Sequence, residues 1–139
     1  MGLIRTQLEL INGDDLALVR RDMAKPDQVR SITVTALVDC GAAMLAINES
    51  IQLQLGLLKV EERLAELADG SVATYDVVGP VEVRFPHRRC SVDAMVLPGN
   101  AEVLLGALPM EDMDLVIEPK TETVRVNPSM PYISKKPMK

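Results

Sequence analysis

This sequence predicts an all-β, barrel-like domain with one or two short helices, on three observations. About eight or nine short segments either alternate apolar and polar residues or run continuously β-branched. Turn dipeptides such as Asn12-Gly13 and Asp69-Gly70 separate them. Hydrophobic residues make up 47% of the 139, yet aromatics are only 2% and Trp is absent, so the core must be built of Val, Leu, Ile, Ala and Met.

The elements follow in order. Ile4, Thr6, Leu8 and Leu10 alternate with Arg5, Gln7 and Glu9, the period-two pattern of a half-buried strand. Asn12-Gly13 then predicts a hairpin, with Leu16 to Val19 as the returning strand and Arg20 to Arg30 as an exposed loop. Ser31 to Val38 is a buried strand ending at Asp39-Cys40-Gly41-Ala42. Asn48 is a good helix N-cap, Ile51 and Leu55 share a face, and Gly56 stops the helix. Arg63 to Ala68 and Ser71 to Val78 flank the Asp69-Gly70 turn. Gly79-Pro80 marks a bulge or corner before a one-sided strand, Val81, Val83 and Phe85 against Glu82 and Arg84. His87-Arg88-Arg89 reads as a solvated connection to a strand over Cys90 to Leu97. Val103 to Leu105 is a short apolar strand, and Leu108 to Met113 a brief helix with Pro109 in its first turn. Met110 and Met113 read as gap-filling core. Leu115 to Ile117 and Thr123 to Val126 close a single domain over residues 1–127, followed by an extended Pro- and Lys-containing tail over 128–139.

Composition excludes several function classes. A net charge of -5 and the scarcity of aromatics argue against nucleic-acid partners, whose surfaces need clustered cations or stacking platforms. No apolar run approaches the roughly 20 residues of a membrane helix, and the N-terminus alternates rather than forming a signal peptide. A cytoplasmic protein with reduced thiols is expected, since Cys40 and Cys90 do not form a disulfide framework. One histidine and two distant cysteines offer no zinc spacing, and no glycine-rich phosphate loop is present, so neither a metal nor a cofactor is expected.

The informative stretch is Ala36-Leu37-Val38-Asp39-Cys40-Gly41-Ala42. An Asp at the end of an apolar strand, two residues before Gly, sits at a tight turn beside the core. It is either a partly desolvated functional carboxylate or a turn residue bonding its own backbone. The stretch resembles the active-site loop of the retropepsin-like aspartic proteases, in their free-standing bacterial form, whose hallmark is apolar-apolar-Asp-Thr/Ser-Gly-Ala. Leu55-Gly56-Leu57, the Ala68-Asp69-Gly70-Ser71 hairpin and Val103-Leu104-Leu105-Gly106 follow in the family's order, so the resemblance covers roughly residues 31 to 118.

This resemblance implies a closed β-barrel corresponding to half of a two-lobed acid protease, with Asp39 catalytic. Gly41 and Ala42 would present backbone to substrate, and Ala68, Asp69, Gly70 and Ser71 would close over it. Cys40, Leu104, Leu105 and Gly106 would support the site. A single motif implies a homodimer, joined through terminal strands such as Leu3 to Leu10 and Thr123 to Val126. Its partner would be an extended peptide or protein substrate.

Cys40 departs from the pattern, because a thiol is a weak donor where the family has a hydroxyl. Its simplest role is that of a buried small hydrophobe; a cross-link between two copies and a nucleophile served by His87 are the alternatives. Met44 likewise stands where relatives often carry Ser or Thr. The substitution at Cys40 keeps a catalytically silent, peptide- or partner-binding dimer as the alternative function.

Overall fold

The computed structural model describes residues 3–135. Among these the strands are β1 (Arg5–Asn12), β2 (Ser31–Val38), β3 (Leu45–Asn48), β4 (Leu58–Glu66), β5 (Val72–Phe85), β6 (Arg88–Leu97), β7 (Val103–Leu105), β8 (Leu115–Glu118) and β9 (Thr123–Val126). Helices α1 (Gly13–Arg20), α2 (Glu49–Leu55) and α3 (Ala107–Asp112) and a 3-10 turn at Pro26–Gln28 complete them. Strand order is β1-β2-β7-β3-β6-β5-β4, and β1 also pairs with β5. That extra pairing closes six strands into a barrel and leaves β4 outside it, attached only to β5. Closure joins the two ends of the six-stranded part, and the outer side of β4 remains an open edge among the described residues.

The core inside the barrel is aliphatic, as composition requires. Leu8, Leu10, Leu45, Ile47, Val78, Val81, Val83 and Leu105 are buried there, and Met110 and Met113 fill the gap beneath α3. The β2, α2 and β6–β9 segments lie close to their expected positions, but β2 is not the buried strand expected: Ala36 alone is fully buried, while Ser31, Thr33 and Thr35 are exposed. Asn48 caps α2 by accepting from the Ile51 N–H at 2.9 Å, and Gly56 ends the helix at φ 63. The Gly79-Pro80 step coincides with the expected register shift, between Val78 and Val81.

Other expectations are corrected as well. Asn12-Gly13 is not a hairpin turn, and Leu16 to Val19 lies in α1 rather than in a strand. The Asn12 Oδ1 accepts from the Asp15 N–H at 3.0 Å while its Nδ2 donates to the Leu55 carbonyl at 2.7 Å, so the residue caps α1 and ties it to α2. Asp14 and Asp15 in the first turn and Arg20 in the last suit the helix dipole. Because Asn12 is almost wholly buried, Asn12→Ala is expected to destabilise the fold by about 1–3 kcal/mol through lost capping and an orphaned carbonyl. Urea denaturation would measure it.

Glu82 was expected on an exposed face and is buried. Its carboxylate accepts from Arg84 Nε at 2.6 Å and from Arg89 Nη2 at 2.8 Å. Burial alone would raise its pKa; the guanidiniums of Arg89 and Arg84 outweigh that and hold it below the ordinary 4.5. Between the lowered and ordinary values the unfolded chain binds more protons than the folded one. The stabilisation is therefore complete above the ordinary value and is lost as pH falls through the folded one. Urea midpoints measured from about pH 6 down to about pH 3 should fall steeply in the wild type and less steeply in Glu82→Gln.

Arg88 was expected in solvent, but its side chain is 1% exposed. It donates to the carbonyls of His87 and Met130 and lies 3.9 Å from Asp114 Oδ2. Asp114 in turn accepts from Asn127 and from the Lys135 N–H, which fasten the segment after β9 to the fold at these points. The remainder of the expected tail, 136–139, lies outside the described residues.

Candidate active site

The Asp39 loop is held by a crossing of chain segments. Strands β2 and β7 run parallel, with Val38 beside Leu105, and the Asp39 N–H donates to the Leu105 carbonyl at 3.0 Å. Beyond Asp39 the chain turns, the Ala42 N–H donating to the Asp39 carbonyl at 3.1 Å. The start of α3 then meets the loop: the Ala107 and Leu108 N–H groups donate to the carbonyls of Ala42 and Ala43 at 2.8 and 3.0 Å. These two bonds satisfy N–H groups that a helix start leaves without intrahelical partners.

Gly106 makes that approach feasible. A Cβ there would lie 2.3 Å from the Met44 carbonyl oxygen and 2.8 Å from that of Ala42. The apolar pair before it, Leu104 and Leu105, extends β7 between β2 and β3, so Leu104-Leu105-Gly106 lies directly against the loop.

Asp39 itself is half-buried. Its Oδ1 accepts from the Gly41 N–H at 3.0 Å, which is the backbone-bonded turn anticipated for an Asp at this position. Among the described residues its other oxygen accepts no hydrogen bond, so one oxygen is positioned by the loop and the other is available to a partner. Gly41 and Ala43 are exposed beside it, and Ala42 is half-buried. Cys40 is also exposed, which corrects the expectation of a buried thiol; Cys90 is the buried one. His87 lies at the β5–β6 turn against Tyr132, their ring centroids 5.1 Å apart.

Strands β4 and β5 form the hairpin that projects from the barrel. Its tip is self-contained: the Leu67 N–H donates to the Ser71 carbonyl, the Gly70 N–H donates to the Leu67 carbonyl, and Gly70 takes φ 85. Asp69 Oδ1 accepts from the Ser71 hydroxyl at 2.6 Å and from its N–H at 2.9 Å, and these bonds hold the Asp69 carboxyl below its usual pKa. No hydrogen bond joins Ala68, Asp69, Gly70 or Ser71 to the Asp39 loop among the described residues.

The link between hairpin and loop lies lower. Arg63 directs its Nη1 to the Met44 Sδ at 3.5 Å. Register places Arg63 opposite Tyr75 and Ala65 opposite Ala73, so these four share the face turned toward the loop, while Leu64, Glu66, Val72 and Thr74 are exposed on the other. A cavity of about 190 Å³ lies at this junction, with Met44, Arg63, Asp93 and Leu108 in its wall. Sequence reasoning missed Arg63 and Tyr75. The signal available was the two-residue period counted outward from the Asp69-Gly70 turn, which assigns a face but not what that face meets.

The family model for aspartyl proteases matches residues 27–108, a span containing the Asp39 loop, the hairpin and Leu104-Leu105-Gly106. The chain belongs to this retropepsin-like aspartyl protease family. No curated protein matches it. Among the described residues no group of His, Cys, Asp and Glu is arranged to hold a metal ion, and no helix is long and apolar enough to cross a membrane.

Proposed function

We propose that the protein is an aspartic endopeptidase that cuts extended peptide segments with a dyad of Asp39 carboxylates, one from each subunit of a homodimer. The observation that carries this reading is Asp39 at the β2–β7 crossing, with one oxygen fixed by Gly41 and the other accepting no hydrogen bond among the described residues. Two carboxylates about 3 Å apart cannot both ionise and so share a proton. One then activates the attacking water while the other protonates the scissile carbonyl oxygen, without a metal or cofactor. Each chain carries one such loop, so the reading requires a second copy to supply the other carboxylate. The outer strands β8 and β9, and the Arg5–Leu8 part of β1 that pairs with β2 alone, are the surfaces this reading assigns to the dimer.

The substrate would lie extended between the Asp39 loops and the hairpins, bonding backbone to Gly41 and Ala42. Residues 68–71 would close over it and exclude water. In this scheme Cys40 replaces the hydroxyl that braces one loop against the other, and its exposure beside Asp39 fits a place at the dimer axis.

Cleavage of a mixed peptide library between about pH 4 and pH 7 tests the reading, since a proton-sharing dyad works in that range. Cleavage by the dimeric wild type is expected. Cys40→Thr, which restores a hydroxyl donor, is expected to raise kcat by up to about 100-fold, the scale on which small errors in positioning act. A confirmed dimer in which neither protein cuts any peptide would establish the other reading, a silent dimer that binds a peptide or partner protein. A proteolytic enzyme in the cytoplasm, with no nucleic-acid or membrane partner, completes the proposal.

A further inference from the structure

A cleft of about 630 Å³ opens at the far end of β5 from the hairpin tip, with Arg84, His87, Arg88, Arg89, Asp112 and Ser134 among its lining residues. None of its walls comes from the Asp39 loop, the 67–71 turn or β7. The cleft is built rather than incidental. Arg84 and Arg89 face each other across the β5–β6 register, an unfavourable pairing of like charges that the buried Glu82 holds together from behind. Both Glu82 oxygens are consumed in doing so, yet Arg84 uses only its Nε and Arg89 only one Nη there. The remaining guanidinium N–H groups have no acceptor in any hydrogen bond found among the described residues.

Arg88 supplies an independent observation. Its side chain is 1% exposed, its two Nη atoms donate to the His87 and Met130 carbonyls, and its Nε is buried with no hydrogen-bond partner among the described residues. Arg88 is thus held from within as a buried cation in the wall of the cleft, and its donors are not those a ligand would meet. Three arginines therefore line a cleft whose only lining carboxylate is Asp112, with Glu82 and Asp114 set behind them. The open donors of the cleft are the remaining guanidinium N–H groups of Arg84 and Arg89, and Asp112 acts electrostatically on Arg89 from its wall. Its volume lies in the range of small-molecule sites, about 300–1,000 Å³.

We propose that this cleft binds a small molecule bearing a multivalent oxyanion, of the phosphate or polycarboxylate kind. The planar forks of Arg84 and Arg89 would take its oxygens in paired hydrogen bonds. The segment carrying Tyr132 and Ser134, fastened through Arg88 and Asp114, would form one wall. The inference is independent of the Asp39 reading.

Titration of the full-length 15N-labelled protein with inorganic phosphate, adenosine 5′-monophosphate and citrate tests it, followed by amide shifts. Adenosine and sodium chloride at matched ionic strength are the controls. Saturable shifts confined to residues 84–91, 112 and 130–135 are expected. Phosphate and the monophosphate would mark a phosphate source, and citrate alone a carboxylate one. The Arg84→Lys/Arg89→Lys variant keeps cations beside Glu82 but loses both forks, and should bind about tenfold more weakly. Its thermal melting would establish that it is folded. The proposal is overturned if none of the three probes gives saturable shifts, if adenosine or chloride reproduces them, or if the folded double variant binds as tightly as the wild type.

Discussion

Asp39→Asn is expected to lower peptide cleavage by about 10²–10⁴-fold, the contribution of a positioned acid or base to a proton-transfer step. The substitution is nearly isosteric, and an Asn Oδ1 accepts the Gly41 N–H as the carboxylate does, so the loop and the proposed dimer should persist. What the proposed dyad would lose is its shared proton. An amide neither accepts a proton from water nor passes one to a carbonyl at neutral or mildly acidic pH. Thermal melting unchanged to within a few degrees, together with lost cleavage, would separate a chemical role from a structural one. A variant that retains wild-type cleavage would remove Asp39 from the mechanism.

Gly106→Ala carries the second large effect, and it acts through packing. The added methyl would lie 2.3 Å from the Met44 carbonyl oxygen, 2.7 Å from the Ala43 carbonyl carbon and 2.8 Å from the Ala42 carbonyl oxygen. All three contacts are backbone, so no side chain can swing aside. Either β7 and α3 retreat, breaking the bonds from Ala107 and Leu108 to the loop, or the loop itself moves. Overpacking of this kind costs about 1–3 kcal/mol in stability. Displacing Asp39 by about 1 Å would add roughly a hundredfold loss in rate. Urea denaturation and cleavage kinetics should therefore fall together in this variant, whereas Asp39→Asn changes rate alone.

Local chemistry made much of the fold legible. Ser31 to Val38 is β-branched and nearly unbroken, and Asn48 and Gly56 bracket α2 with a cap and a stop that are local to the helix. The Asp39 loop and Leu104-Leu105-Gly106 could be read in order along the chain. The reason Gly106 must be glycine could not, because it lies in the carbonyls of residues 42 and 44, more than sixty positions earlier.

Misreadings occurred where a distant partner decides the outcome. Asn12 turns from hairpin residue to helix cap because the Leu55 carbonyl takes its amide. Glu82 can be buried because Arg89 crosses from the neighbouring strand, and Arg88 because Met130 comes back over it. The early part of β4, Leu58 to Glu62, is charged and exposed on an outer strand, so it carries no burial pattern to read.

If cutting requires an Asp39 from each of two copies, subunit mixing will show it. Wild type would be exchanged with an equal amount of Asp39→Asn at fixed total concentration, and cleavage followed after equilibration. If only dimers with two carboxylates cut, activity should fall to about one quarter of that of the undiluted wild type, and as the square of the wild-type fraction at other ratios. A linear fall, to about one half, would show that each chain's Asp39 acts on its own and would contradict the shared dyad.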